Sequence, residues 1–180
     1  MALVMYCFSE FIYLHYLSRT GDVMKLIFKQ RVFSWFDSYD IYDEAGNTVY
    51  TVKGALAWGH LLRIYDVNGN ELGCIKEKIF TWLPKFEMYL GSSYIGSINK
   101  EFSFFKPKFN IDYNGWQVDG DWFEWEYSIL NSAGQGVATV SKQLWNWTDT
   151  YVIDIVNSHD AIFALMLVLA IDAEKCSRNN

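Results

Sequence analysis

The side chains in this sequence whose type and spacing best suit ligand chemistry are lysines, because a phosphorylated ligand is held by cationic donors gathered in space. Lys76, Lys78, Lys85, Lys100, Lys106 and Lys108 crowd one stretch in which Glu77, Glu87 and Glu101 are the only acids, whereas the chain after Asn110 is strongly acidic. These six are the expected contacts for an anionic lipid head group. The plainer reading of the same residues is a solvated outer strand face, since strand lysines commonly guard surfaces and edges.

Other chemistries find less support. His15, His60 and His159 stand far apart, show no metal-ligand spacing and lack an acidic partner in a helical motif, so no metal or cofactor site is expected. Ser158, His159 and Asp160 have the composition of a hydrolytic triad, but adjacent residues cannot readily orient one another as nucleophile, base and orienter. Capping and loop solvation account for them. Asp119, Asp121, Glu124 and Glu126 stand among aromatics, the residue types of a glycosidase site or sugar platform; a strand with acids outward and aromatics inward explains the alternation more simply. No catalytic residue is assigned. Cys7, Cys74 and Cys176 are odd in number, scattered and without a C-x-x-C pair, which reads as reduced thiols of a cytoplasmic protein.

Strands and one helix carry these residues. Residues 160–171 (DAIFALMLVLAI) are apolar on nearly every face, yet the run is short of the ~18 to 20 residues that span a bilayer. A helix over 159–175, buried inside protein, is expected, with Asn157 or Ser158 as its cap and Asp172, Glu174 and Lys175 closing the run. Residues 1–23 are apolar and aromatic but lack a basic n-region and a cleavage site, and Met24 looks like a second beginning. They are expected to be an appended or mis-started extension before a single domain over 24–180.

From residue 26 onward short strands alternate with turns. A strand, an Asp/Asn/Gly turn and a second strand recur around 44–47 (EAGN), 67–70 (VNGN), 91–93 (GSS) and 132–134 (SAG). Further strands are expected at 78–83, 108–113, 116–118, 122–125, 143–147 and 150–156, for about twelve in all. A sheet of that size curls or closes, and closure around the apolar helix removes its edges. The expected fold is therefore mainly β, a closed antiparallel barrel of about twelve strands around a central C-terminal helix. The eight tryptophans then pack between wall and helix, with the pair Trp145 and Trp147 as candidates for an outward partner or membrane surface.

The runs 24–35 (MKLIFKQRVFSW), 41–47 (IYDEAGN) and 49–54 (VYTVKG), the later glycine hairpins, and the apolar helix after 154–157 (DIVN) resemble bacterial members of the LURP-one-related (YxjI-like) family. The resemblance covers residues 24 to about 175. It implies the fold shared by the tubby C-terminal domain and the phospholipid scramblases, a twelve-stranded barrel threaded by its last helix. Tubby domains bind phosphoinositide head groups and scramblases act on phospholipids, while the bacterial members have no settled role.

A net charge of −6 and a pI near 5.0 argue against a nucleic-acid binder. The leading expectation is a non-enzymatic binding or scaffold domain, cytoplasmic or peripheral to a membrane, without a transmembrane segment or cofactor, contacting anionic phospholipid or a protein. An enzyme with a carboxylate and histidine cleft, and a carrier of a small apolar ligand, are the alternatives.

Overall fold

The computed structural model describes residues 22–29, 38–55, 57–101, 108–143 and 150–178. Twelve strands follow in order: β1 Met24–Lys29, β2 Ser38–Tyr42, β3 Thr48–Ala55, β4 Leu61–Tyr65, β5 Glu71–Glu77, β6 Lys85–Leu90, β7 Ser93–Glu101, β8 Lys108–Ile111, β9 Trp116–Asp121, β10 Glu126–Leu130, β11 Gly136–Gln143 and β12 Thr150–Ile155. Each pairs antiparallel with the next, and β1 closes the ring on β12 with Met24 opposite Ile155. The expected closed barrel is present. Alternation does the work: one residue in two points inward, and Leu26, Ile41, Val52, Ile64, Ile75, Met88, Ile98, Ile111, Ile129 and Ile153 are fully buried.

A short 3-10 turn, Ser158–Asp160, precedes helix α1, Ala161–Arg178. Asn157 caps it, its side-chain oxygen accepting the His159 N–H at 3.0 Å. Residues 164–171 are 0–1% exposed and belong to the same hydrophobic cluster as the strand residues, so the helix fills the barrel. Among the described residues no helix is long and apolar enough to cross a membrane. The helix runs past its expected end because Asp172 and Glu174 are themselves buried within the barrel instead of closing the run in solvent.

The two ends of the barrel differ in chemistry. Where the helix enters, the described connections are polar turns at 43–47, 66–70, 91–92, 112–115 and 131–135. Three share one device: Asp43, Asp66 and Asn131 each accept, through Oδ1, the N–H of the residue four positions on, at 2.8, 2.8 and 2.9 Å. Gly46, Gly69 and Gly134 supply the positive φ that these turns need.

At the opposite end the described connections are 57–60, 78–84 and 122–125, and they carry Trp and Phe. Two strand expectations fail here. Residues 79–83 form a loop, with Phe80 at φ +65° and its side chain in solvent. Residues 122–125 form a turn in which Asp121 Oδ1 accepts the N–H groups of Phe123 and Glu124 at 3.0 and 3.2 Å, while Trp122 and Trp125 fold back into the core. Aromatic alternation imitated strand periodicity in both. The expected strand at 143–147 falls, beyond the end of β11 at Gln143, outside the described residues, as does the expected extension before residue 22.

Candidate functional site

Strand register decides which lysines can act together. On β5 and β6, Lys76 lies opposite Glu87, and Phe86 and Met88 point inward, so Lys76, Lys85 and Glu87 share the outer face. Continuing that register sets Lys78 across from Lys85, whose carbonyl accepts the Lys78 N–H at 2.8 Å. Like charges facing each other across a strand pair are unfavourable. Glu87 relieves part of that, its carboxylate 3.1 Å from the Lys78 ammonium. Lys108 is also outward, at the start of β8 and opposite Glu101. Among the described residues Lys76, Lys85 and Lys108 form no ion pair. With strands ~4.8 Å apart, β6 and β8 set Lys85 and Lys108 about 10 Å apart laterally.

Lys100 does not join them. It shares the inward face of β7 with Ile98, is 6% exposed, and its Nζ lies 2.7 Å from Oε1 of Glu174, itself 4% exposed, on α1. The same ammonium sits 5.3 Å from the Trp122 ring centre. An inward lysine sealed against a helix cannot reach a head group, so its inclusion in the outer set is corrected. Lys106 lies outside the described residues. The outer set is therefore Lys76, Lys78, Lys85 and Lys108.

The helix terminus beside Lys100 holds more buried charge. Burial raises the Asp172 carboxyl to about 7, with Lys175 opposing that rise. Burial lowers the Lys175 ammonium to about 8 and raises the Cys176 thiol to about 11. Lys175 donates to the carbonyls of Trp122, at 3.2 Å, and Phe123, and lies 4.3 Å over the Trp125 ring. A cation on the last carbonyl-rich turn also complements the helix dipole. Lys175 thus bolts the helix to the 122–125 turn.

His60 and Glu77 form the histidine–carboxylate contact that an enzyme would need, Nδ1 to Oε2 at 2.6 Å. Glu77 also accepts the His60 backbone N–H at 3.0 Å, and the His60 carbonyl accepts the Glu77 N–H at 2.7 Å. The His60 hydrogen bond holds the Glu77 carboxyl below its ordinary range. The pair fastens loop 57–60 to the end of β5, which is a structural task. His159 is exposed on the 3-10 turn, and His15 lies outside the described residues. No cluster of three His, Cys, Asp or Glu suited to a metal occurs among the described residues. Cys74 is a buried thiol and Cys176 is half-buried.

The tryptophans divide. Trp116, Trp122 and Trp125 pack in the core as expected, Trp122 edge-on to Phe109 at 5.1 Å and Trp125 against Tyr151 at 4.2 Å. Trp58 and Trp82 do not. They are 85% and 103% exposed, and Phe80 between them in sequence is 96% exposed. Sequence reasoning missed this trio as functional candidates; the available signal was that all three fall in connections at one end of an up-and-down barrel. Trp35, Trp145 and Trp147 lie outside the described residues.

Comparison with known proteins agrees with the fold. The LURP-one-related family matches residues 24–172. The uncharacterized protein YxjI of Bacillus subtilis (strain 168) is 30% identical over 152 residues, spanning 83% of this chain and 93% of the relative. An X-ray structure of a protein from Arabidopsis thaliana superposes with a TM-score of 0.59 at 13% identity, covering 85% of this chain and 93% of that one, a likeness of fold alone. With the family match spanning most of the chain, this protein belongs to the LURP-one-related family.

Proposed function

We propose that this protein is a non-enzymatic binding module that works through its outer surface and engages anionic phospholipid with the lysines of β5, β6 and β8. The observation that carries the reading is the outward grouping of Lys76, Lys78, Lys85 and Lys108 toward one end, with Lys78 facing Lys85 despite the electrostatic cost. A net charge of −6 means that any attraction to an anionic surface must be local. The helix-filled interior speaks against the carrier alternative, and resemblance to tubby domains and scramblases favours a lipid over a soluble anion.

At ~1 kcal/mol per lysine near a charged bilayer, four lysines supply about 4 kcal/mol, equivalent to roughly millimolar affinity. Binding should therefore be weak and strongly salt-dependent if charge acts alone. The test is cosedimentation of the full chain with phosphatidylcholine vesicles and with vesicles that also carry a phosphoinositide, at low and high salt. Preference for the anionic vesicles, weakened by salt and abolished in K78E/K85E, supports the reading. No binding, or equal salt-independent binding to both, overturns it and leaves a protein as the partner.

A further inference from the structure

We propose that loops 57–60 and 78–84 form a rigid apolar wedge, tipped by Trp58, Phe80 and Trp82, that inserts into the interface of an anionic bilayer. The inference rests on the lipid reading above and adds a site with a different chemistry. Side chains 85%, 96% and 103% exposed project from the body of the protein instead of lying flat on it. Apolar surface of that kind marks an interaction site. Projecting tips with lysines at their base suit penetration of a soft, negatively charged interface, where Trp is especially favoured, better than a flat protein face.

Phe80 strengthens the case. At φ +65° a bulky L-residue is in a region it rarely occupies, and here the strained backbone holds an aromatic ring in water. Within the isolated fold neither feature brings a gain. The loop is nevertheless fixed: the Thr81 hydroxyl donates to the Lys78 carbonyl at 3.1 Å, Lys78 pairs with Lys85, and the Pro84 carbonyl accepts the Lys100 N–H at 3.0 Å.

The neighbouring loop is locked to it. A Cβ on Gly59 would come within 3.0 Å of Ile79 Cγ2 and 3.2 Å of Glu77 Cβ, and the His60–Glu77 bonds hold the loop base. Gly59, next to Trp58, thereby packs on Ile79, next to Phe80, so the backbones of the two loops form one preorganised platform.

The substitution F80G separates this role from a structural one, because glycine accepts the backbone conformation while removing the ring. It should raise the thermal midpoint by about 2 to 4 °C and weaken binding to phosphatidylcholine/phosphatidylserine vesicles about tenfold. In the parent, lipids brominated along the acyl chain should quench tryptophan fluorescence, and most of that quenching should disappear in W58F/W82F. Unchanged affinity in F80G together with no brominated-lipid quenching in the parent overturns the wedge but leaves the electrostatic reading intact. Failure of the parent to bind anionic vesicles at all overturns both.

Discussion

The buried pair between Lys100 and Glu174 gives the sharpest test of how the helix is held. Both residues are at most 6% exposed, and their charged atoms are 2.7 Å apart, linking β7 to the last turns of α1. Removing one partner of such a pair leaves a desolvated charge and typically costs ~3 to 5 kcal/mol. Of a total stability of about 5 to 15 kcal/mol, that loss is large yet measurable. K100M should show the full loss at neutral pH. E174Q should lose less, because Lys100 keeps the Trp122 ring beneath it and gains an amide oxygen. Replacing both, as K100M/E174L, removes the charges together and should return stability to within about 1 kcal/mol of the parent. Urea unfolding of the parent, K100M, E174L and K100M/E174L closes the cycle and gives the coupling energy directly. Additive losses, or a neutral K100M, would refute a buried pair.

Three further outcomes follow from the packing. Asp172 is buried with its carboxyl raised to about 7, so the folded state holds a proton that the unfolded chain, at about 3.9, has released. Its contribution is therefore fully present below about pH 4 and lost as pH rises to about 7, a difference of up to about 4 kcal/mol at 1.36 kcal/mol per pKa unit. D172N should be more stable than the parent at pH 8 and near parity at pH 4 by thermal unfolding; a variant less stable at pH 8 contradicts this. Gly73 faces the helix, and a Cβ there would meet the Tyr89 carbonyl oxygen at 2.3 Å and Met166 Cε at 2.7 Å. G73A should cost about 1 to 3 kcal/mol or more in urea, and a neutral result would mean β5 has room to move. L165D or L167D places a charge at a position 0% exposed and should abolish cooperative unfolding; soluble, cooperatively folded variants at both would sink the central helix.

The fold was legible where local chemistry is unambiguous. Asp43, Asp66 and Asn131, each followed by glycine at a fixed offset, announce turns, and an apolar run too short for a bilayer announces a helix that strands must enclose. Loops rich in aromatics were misread because Phe80 and Trp82 repeat with strand spacing, and only tertiary placement shows that nothing covers them. The inward face of Lys100 was readable from its parity with Ile98. What hid it was the assumption that lysine faces water, since its partner Glu174 lies in another element, 74 residues away. Lys78 against Lys85 could not be seen before the β5–β6 register was known, because register depends on a loop of irregular geometry.

Hydrogen–deuterium exchange of the full chain with and without anionic vesicles tests whether the working surface is the aromatic end of the barrel. Protection is predicted to rise in residues 57–60 and 78–85, with the turns at 43–47, 66–70 and 131–135 and the helix at 161–175 unchanged. Protection confined to those polar turns, or changes spread along the central helix, would contradict it.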